Sequence, residues 1–170
     1  MIIQWNTIMK YKLLAEFLFI ILTIFVAWLI MRKVDELLPL NPFRTVNYFS
    51  IIVFLLYTRY IFLLKFTPFS HTAWVKGILM LISIPFLLYL IDSFYDFTKM
   101  LNEEGIEFSI NSDSKEERVA MAEYTKNEFF FFLVGAIITC IVMPIRMIIS
   151  IYRVYNNKGI VWFFSKTKLE

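Results

Sequence analysis

The chain has 170 residues, of which 59% are hydrophobic and 19% aromatic, a formal net charge of +3 and a mean hydropathy of +0.68. A soluble domain of this length carries about 45–50% apolar residues, so a water-surrounded fold is excluded and lipid is the expected solvent. One cysteine (Cys140) and one histidine (His71) rule out an intrachain disulfide and a haem held between two histidines, and leave a zinc site short of ligands.

The composition predicts an all-α integral membrane protein, a four-transmembrane-helix bundle forming one domain over residues 1–170. A span needs about 20 apolar residues, with a range of roughly 17–25. The first 11 residues hold Ile2, Ile3, Trp5, Ile8 and Met9 and suit an interfacial anchor or a contact with a neighbouring subunit. Span one is read at 13–31, interrupted only by Glu16. Its apolar run exceeds the roughly 7–15 residues of a signal-peptide core, and no A-x-A-like site follows it, so it is expected to remain in the mature chain.

Pro39 and Pro42 break the next connection. Span two is read at 48–64 and carries Arg59. It is the shortest, and a re-entrant helix is its rival reading. A tight turn at 65–73 with Pro68 makes spans two and three antiparallel neighbours. Span three is read at 74–95, with Lys76 at one end and Asp92 at the other.

Residues 96–128 are the one sizeable polar segment, holding nine acids and four bases, net −5. It is expected to be an acidic extramembrane arm, a short strand followed by a helix that leads into span four. Ile106, Phe108 and Ile110 alternate with polar residues, the period of a strand. A strand this short needs a partner, so these three are read as a partner-docking strand. Ser114 with Glu117, or Asp113 with Glu116, fits a capping box at the start of the following helix. Span four is read at 129–152, with Pro85 and Pro144 expected to kink spans three and four. After it, residues 160–164 are apolar, too short to span and flanked by lysines, as an interfacial anchor would be.

Lys and Arg near span ends set orientation. The termini and the short second loop are the denser in bases, which places both termini in the cytoplasm. Abundant Ile, Phe and Lys suggest a bacterial source, hence a bacterial inner membrane.

Charge inside hydrocarbon costs about 2.5–3.5 kcal/mol per residue at a helix centre on insertion scales. Glu16, Arg59 and Arg146 lie at similar depth from the same side, so they are read as an intramembrane ion pair or triad. Arginine snorkelling is the bland alternative, and proton or anion handling the functional one. Asp92 and Asp96 form an i, i+4 carboxylate pair at the other side, either a polar helix exit or a cation- or partner-binding pair. Gly135, Thr139 and Ser150 mark a helix-packing face on span four.

No P-loop, HExxH or paired CxxC occurs, and the bases line membrane ends rather than one soluble surface. No catalytic residue, cofactor or metal is assigned, and no nucleic-acid partner is expected. The expected function is a non-catalytic subunit or accessory of an inner-membrane complex, whose partners are the lipid bilayer and other membrane subunits. A small oligomeric transporter or channel using Glu16, Arg59 and Arg146 is the alternative, and a membrane enzyme comes third.

Overall fold

The computed structural model describes residues 2–37, 42–103 and 114–158. Among them every regular element is helical: α1 (Ile2–Leu37), α2 (Arg44–Leu63), α3 (Ala73–Glu103) and α4 (Lys115–Lys158), with two 3-10 turns, Leu64–Phe66 and Pro68–His71, between α2 and α3. All four α-helices contain segments long and apolar enough to cross a membrane.

Each helix buries one stripe. In α3, Lys76, Ser83, Leu90 and Phe97 are buried at seven-residue intervals, the repeat of closely aligned helices. In α4 the buried set is Thr125, Glu128, Phe129, Leu133, Ala136, Thr139, Cys140, Met143 and Met147, adjacent pairs or steps of three or four that keep to one helix face. In α2 it is Asn47, Ser50, Ile51, Val53, Tyr57 and Tyr60. Small and polar residues are common inside, while Leu14, Phe17, Leu18, Phe25, Trp28, Leu88, Phe131 and Ile145 face outward. Of the most apolar window, only 17% is buried in α1 and α3 and 33% in α2 and α4. Water is a poor solvent for that exterior.

Helix α4 is the centre of the bundle and packs most extensively on α2 and α3, while α1 leans mainly on α2. The order across the bundle is therefore α1, α2, α4, α3. Spans two and three are consecutive and joined by a tight turn, yet their backbones seldom approach. They meet through rings: Phe49 lies 5.0 Å from Phe86 and 5.5 Å from Tyr89, both edge-on.

The helices extend past the spans read from the sequence, α1 from Ile2 to Leu37 against 13–31 and α4 to Lys158 against 152. Helix α2 begins at Arg44 rather than 48. Helix α3 continues to Glu103, so the first part of the acidic arm is helix. The reason is that the buried stripe of α3 does not stop at Asp96: Phe97 stacks on Phe129 with centroids 3.9 Å apart, and Met100 and Leu101 join the same core. The arm's second part is helical from Lys115, and the Glu117 backbone N–H donates to Ser114 Oγ at 3.5 Å, the N-cap contact of the expected box. Both helices run through their prolines, Pro85 and Pro144. The strand assigned to Ile106, Phe108 and Ile110 and the anchor at 160–164 lie outside the described residues. Residues 2–11 are continuous with α1.

Candidate functional site: polar clasps between the helices

The buried charged side chains collect at the two ends of the bundle, while hydroxyls such as Thr23, Ser83 and Thr139 are buried between them. At the end where residues 64–72 turn, α1 presents Glu16 and α2 presents Arg59 and Tyr60. Arg59 Nη2 stands 2.8 Å from Glu16 Oε2, with both side chains almost fully enclosed. Tyr60 donates its hydroxyl to Glu16 Oε1 at 2.6 Å, and the Arg59 guanidinium lies 4.0 Å over the Phe19 ring. The ion pair is close without being aligned as a hydrogen bond, since neither Glu16 Oε2 nor Arg59 Nη1 has a hydrogen-bond partner among the described residues.

Arg146 does not join them. It sits on α4, on the other side of α2 from α1, and its Nε donates to the Ile61 carbonyl at 2.9 Å. Ile61 is in the last turn of α2, where carbonyls lack helical donors and the helix dipole is negative. Arg146 is thus a C-terminal cap delivered by a neighbouring helix. Lys76 behaves alike: fully buried, it donates to the Ser70 carbonyl at 2.6 Å, at the end of the second 3-10 turn. Two bases counted from sequence as interfacial charge or as ion-pair partner therefore hold the turn together.

At the opposite end, which carries the arm, Asp35 Oδ2 of α1 accepts from Arg44 Nη2 at 2.9 Å and from the Tyr48 hydroxyl at 2.9 Å, while Arg44 Nε lies 2.8 Å from Asp35 Oδ1 as an ion-pair contact that is not aligned as a hydrogen bond. Helix α1 is therefore fastened to α2 by a carboxylate at each end, with the small residues Thr23 and Ala27 buried between. A second contact joins α2 to α4: Asn47 Nδ2 donates to Glu128 Oε2 at 2.7 Å, with Asn47 entirely enclosed and Glu128 nearly so.

Compared with models of known families, with curated proteins and with solved structures, the chain matches none.

The remaining sequence candidates are spread apart. Asp92 and Asp96 are both exposed on α3. Gly135 and Thr139 lie on the inner stripe of α4, where Gly135 receives the Phe54 ring and Thr139 returns its hydroxyl to the Ala136 carbonyl at 2.9 Å; Ser150 is half-buried. Among the described residues no three His, Cys, Asp or Glu side chains converge as metal ligands would. Asn47 and Glu128 escaped the sequence reading, which assigned Glu128 to the solvated arm. Its phase was the available signal, because Glu128 falls three residues after Thr125 and one before Phe129, within the buried stripe.

Proposed function

We propose that this chain is a four-span, multi-pass protein of a bacterial inner membrane, with both termini cytoplasmic, serving as a non-catalytic subunit of a membrane complex. The observation that carries the reading is the length of the paired α3–α4 end. Helix α4 has 44 residues, about 66 Å at 1.5 Å per residue, against a hydrocarbon core of about 30 Å. With 129–152 in lipid, the N-terminal turns of α4 and the end of α3 stand clear as an acidic helical pair. Its exposed residues include Asp96, Lys99, Val119, Glu123 and Tyr124. Between the end of α1 and α4 lies a groove of about 520 Å³ lined by Leu29, Ile30, Arg32, Lys33 and Glu36 of α1 and Tyr124 of α4. A protruding pair of this kind offers a partner exposed tyrosine, enriched at contact sites, with the acidic residues as a solvated rim.

Extraction of the tagged full chain in mild detergent tests the reading. A complex heavier than any homo-oligomer is expected, and charge reversal of Glu116, Glu117 and Glu123, or deletion of residues 105–111, is expected to reduce partner recovery while insertion persists. A pure homo-oligomer that conducts ions in liposomes would instead favour the transporter reading.

Topology has its own test. The sole cysteine is buried, so single-cysteine labelling has a low background. Thr67 lies in the turn but is fully buried and would resist labelling on either side; Lys65 is exposed and reports the turn properly. An impermeant maleimide added outside is expected to label Glu123→Cys and spare Lys65→Cys. The opposite pattern overturns the orientation, and labelling of both removes a span.

A further inference from the structure

The contact between Asn47 and Glu128 is incomplete in an informative way. Asn47 is 0% and Glu128 9% exposed, so neither can be satisfied by bulk water. Asn47 Nδ2 donates to Glu128 Oε2. The other two oxygens of the pair, Glu128 Oε1 and Asn47 Oδ1, are buried and have no hydrogen-bond partner among the described residues. Both are acceptors if the carboxyl is ionised, and a buried acceptor without a donor is costly. A buried carboxylate without a cation is costlier still.

A single proton removes both deficits. Placed on Oε1, it turns that oxygen into a donor, and the orphaned Asn47 Oδ1 is its matching acceptor. We infer that Glu128 and Asn47 form a proton-binding site, in which a neutral Glu128 closes a cyclic acid–amide pair that ties α4 to α2. The proton comes from water at the arm end of the bundle, and its release returns a carboxylate that keeps only the Asn47 N–H bond. This goes beyond the subunit reading and does not depend on it.

The surrounding charges leave the site to itself. At this level α4 carries Tyr124 and Lys126, both exposed, and α3 carries Asp96 and Lys99, also exposed. Arg44 and Tyr48 of α2 are both taken by Asp35 of α1. The rings of Phe43, Phe97 and Phe129 cluster beside the pair. Burial pushes the Glu128 carboxyl well above the usual carboxylate range, and the Asn47 N–H bond, the lesser influence, opposes it.

Glu128→Gln is the discriminating substitution, since a glutamine amide reproduces both hydrogen bonds with no proton to lose. The full chain in lipid nanodiscs is examined by infrared spectroscopy and thermal unfolding. At pH 7 the wild-type protein is expected to show the carbonyl stretch of a protonated carboxyl group, absent in Glu128→Gln. A carboxyl kept neutral in the fold binds its proton more tightly folded than unfolded. Its stabilising effect is therefore complete below the unfolded value of about 4.3 and declines as pH rises toward the folded value. Relative to Glu128→Gln, wild-type Tm should fall by about 3–5 °C for each pH unit in that interval. Parallel Tm profiles overturn the inference. So does a Glu128→Gln chain that fails to fold, or a wild-type spectrum with no protonated carboxyl at pH 7. Stabilisation at pH 8 by sodium and not by choline, without that carbonyl stretch, overturns it in favour of a cation.

Discussion

Arg59→Leu is expected to cost about 3–5 kcal/mol of stability in detergent, the loss that follows when one member of a buried ion pair is removed and the other stays charged. Arg59 and Glu16 are 11% and 6% exposed at the side chain, so water reaches neither well enough to replace the partner. Glu16→Gln should also destabilise, because Arg59 then faces Phe19 without a carboxylate. The double substitution Glu16→Gln with Arg59→Leu should recover part of the sum, since it leaves no lone charge. Arg146→Leu gives the control. It removes a donor from the Ile61 carbonyl, a different interaction at a different helix pair, so its loss should add to that of Glu16→Gln without rescue. Tyr60→Phe should show a smaller loss, about 1.5–3 kcal/mol for a hydrogen bond to a charged group. Thermal unfolding of the four purified single variants and of the two doubles, Glu16→Gln with Arg59→Leu and Glu16→Gln with Arg146→Leu, measures these effects. Strict additivity between Glu16 and Arg59 would mean that each charge finds its own way to the headgroups.

That pairing was legible in part because depth can be counted along a sequence. Glu16 lies four residues from Lys12, Arg59 six from Lys65 and Arg146 seven from Arg153, and alternating helix direction brings all three to one level. Depth does not give lateral order. Loop lengths speak only for consecutive helices, and α4 inserts between α2 and α3, which sets Arg146 on the far side of α2 from Glu16. The same limit hid Asn47 and Glu128, which are 81 positions apart. The four apolar segments were legible because run length and hydropathy alone identify helices long and apolar enough to cross a membrane. Where each helix ends was less so: the seven-residue stripe of α3 runs on to Phe97, past the aspartates that had marked the polar exit. Lys76 shows the converse error, a base at a span end that reads as surface charge and is in fact buried on the Ser70 carbonyl.

Gly135→Leu is expected to destabilise the bundle by about 1–3 kcal/mol through overpacking, and Phe54→Ala is expected to relieve it. A Cβ added at Gly135 would stand 2.8 Å from both Cδ2 and Cε2 of Phe54, closer than carbon atoms approach. The Phe54 ring is not free to swing aside, because it meets Phe131 and Phe132 edge-on, each with centroids 5.9 Å away. The glycine therefore works as a socket: its missing side chain admits an aromatic ring from α2 into the stripe of α4. Phe54→Ala alone should lose stability by emptying the socket, by roughly 3–5 kcal/mol if the site cannot collapse. Combined with Gly135→Leu it should lose less than the sum, because the leucine fills the space that the ring vacates. The position lies between the Asn47–Glu128 contact and the Arg146 cap, along the same α2–α4 seam. A shift of that seam should loosen both, so the infrared signature of Glu128 should change in Gly135→Leu as well. A Gly135→Leu protein that is as stable as the parent would place this face toward lipid and separate α2 from α4.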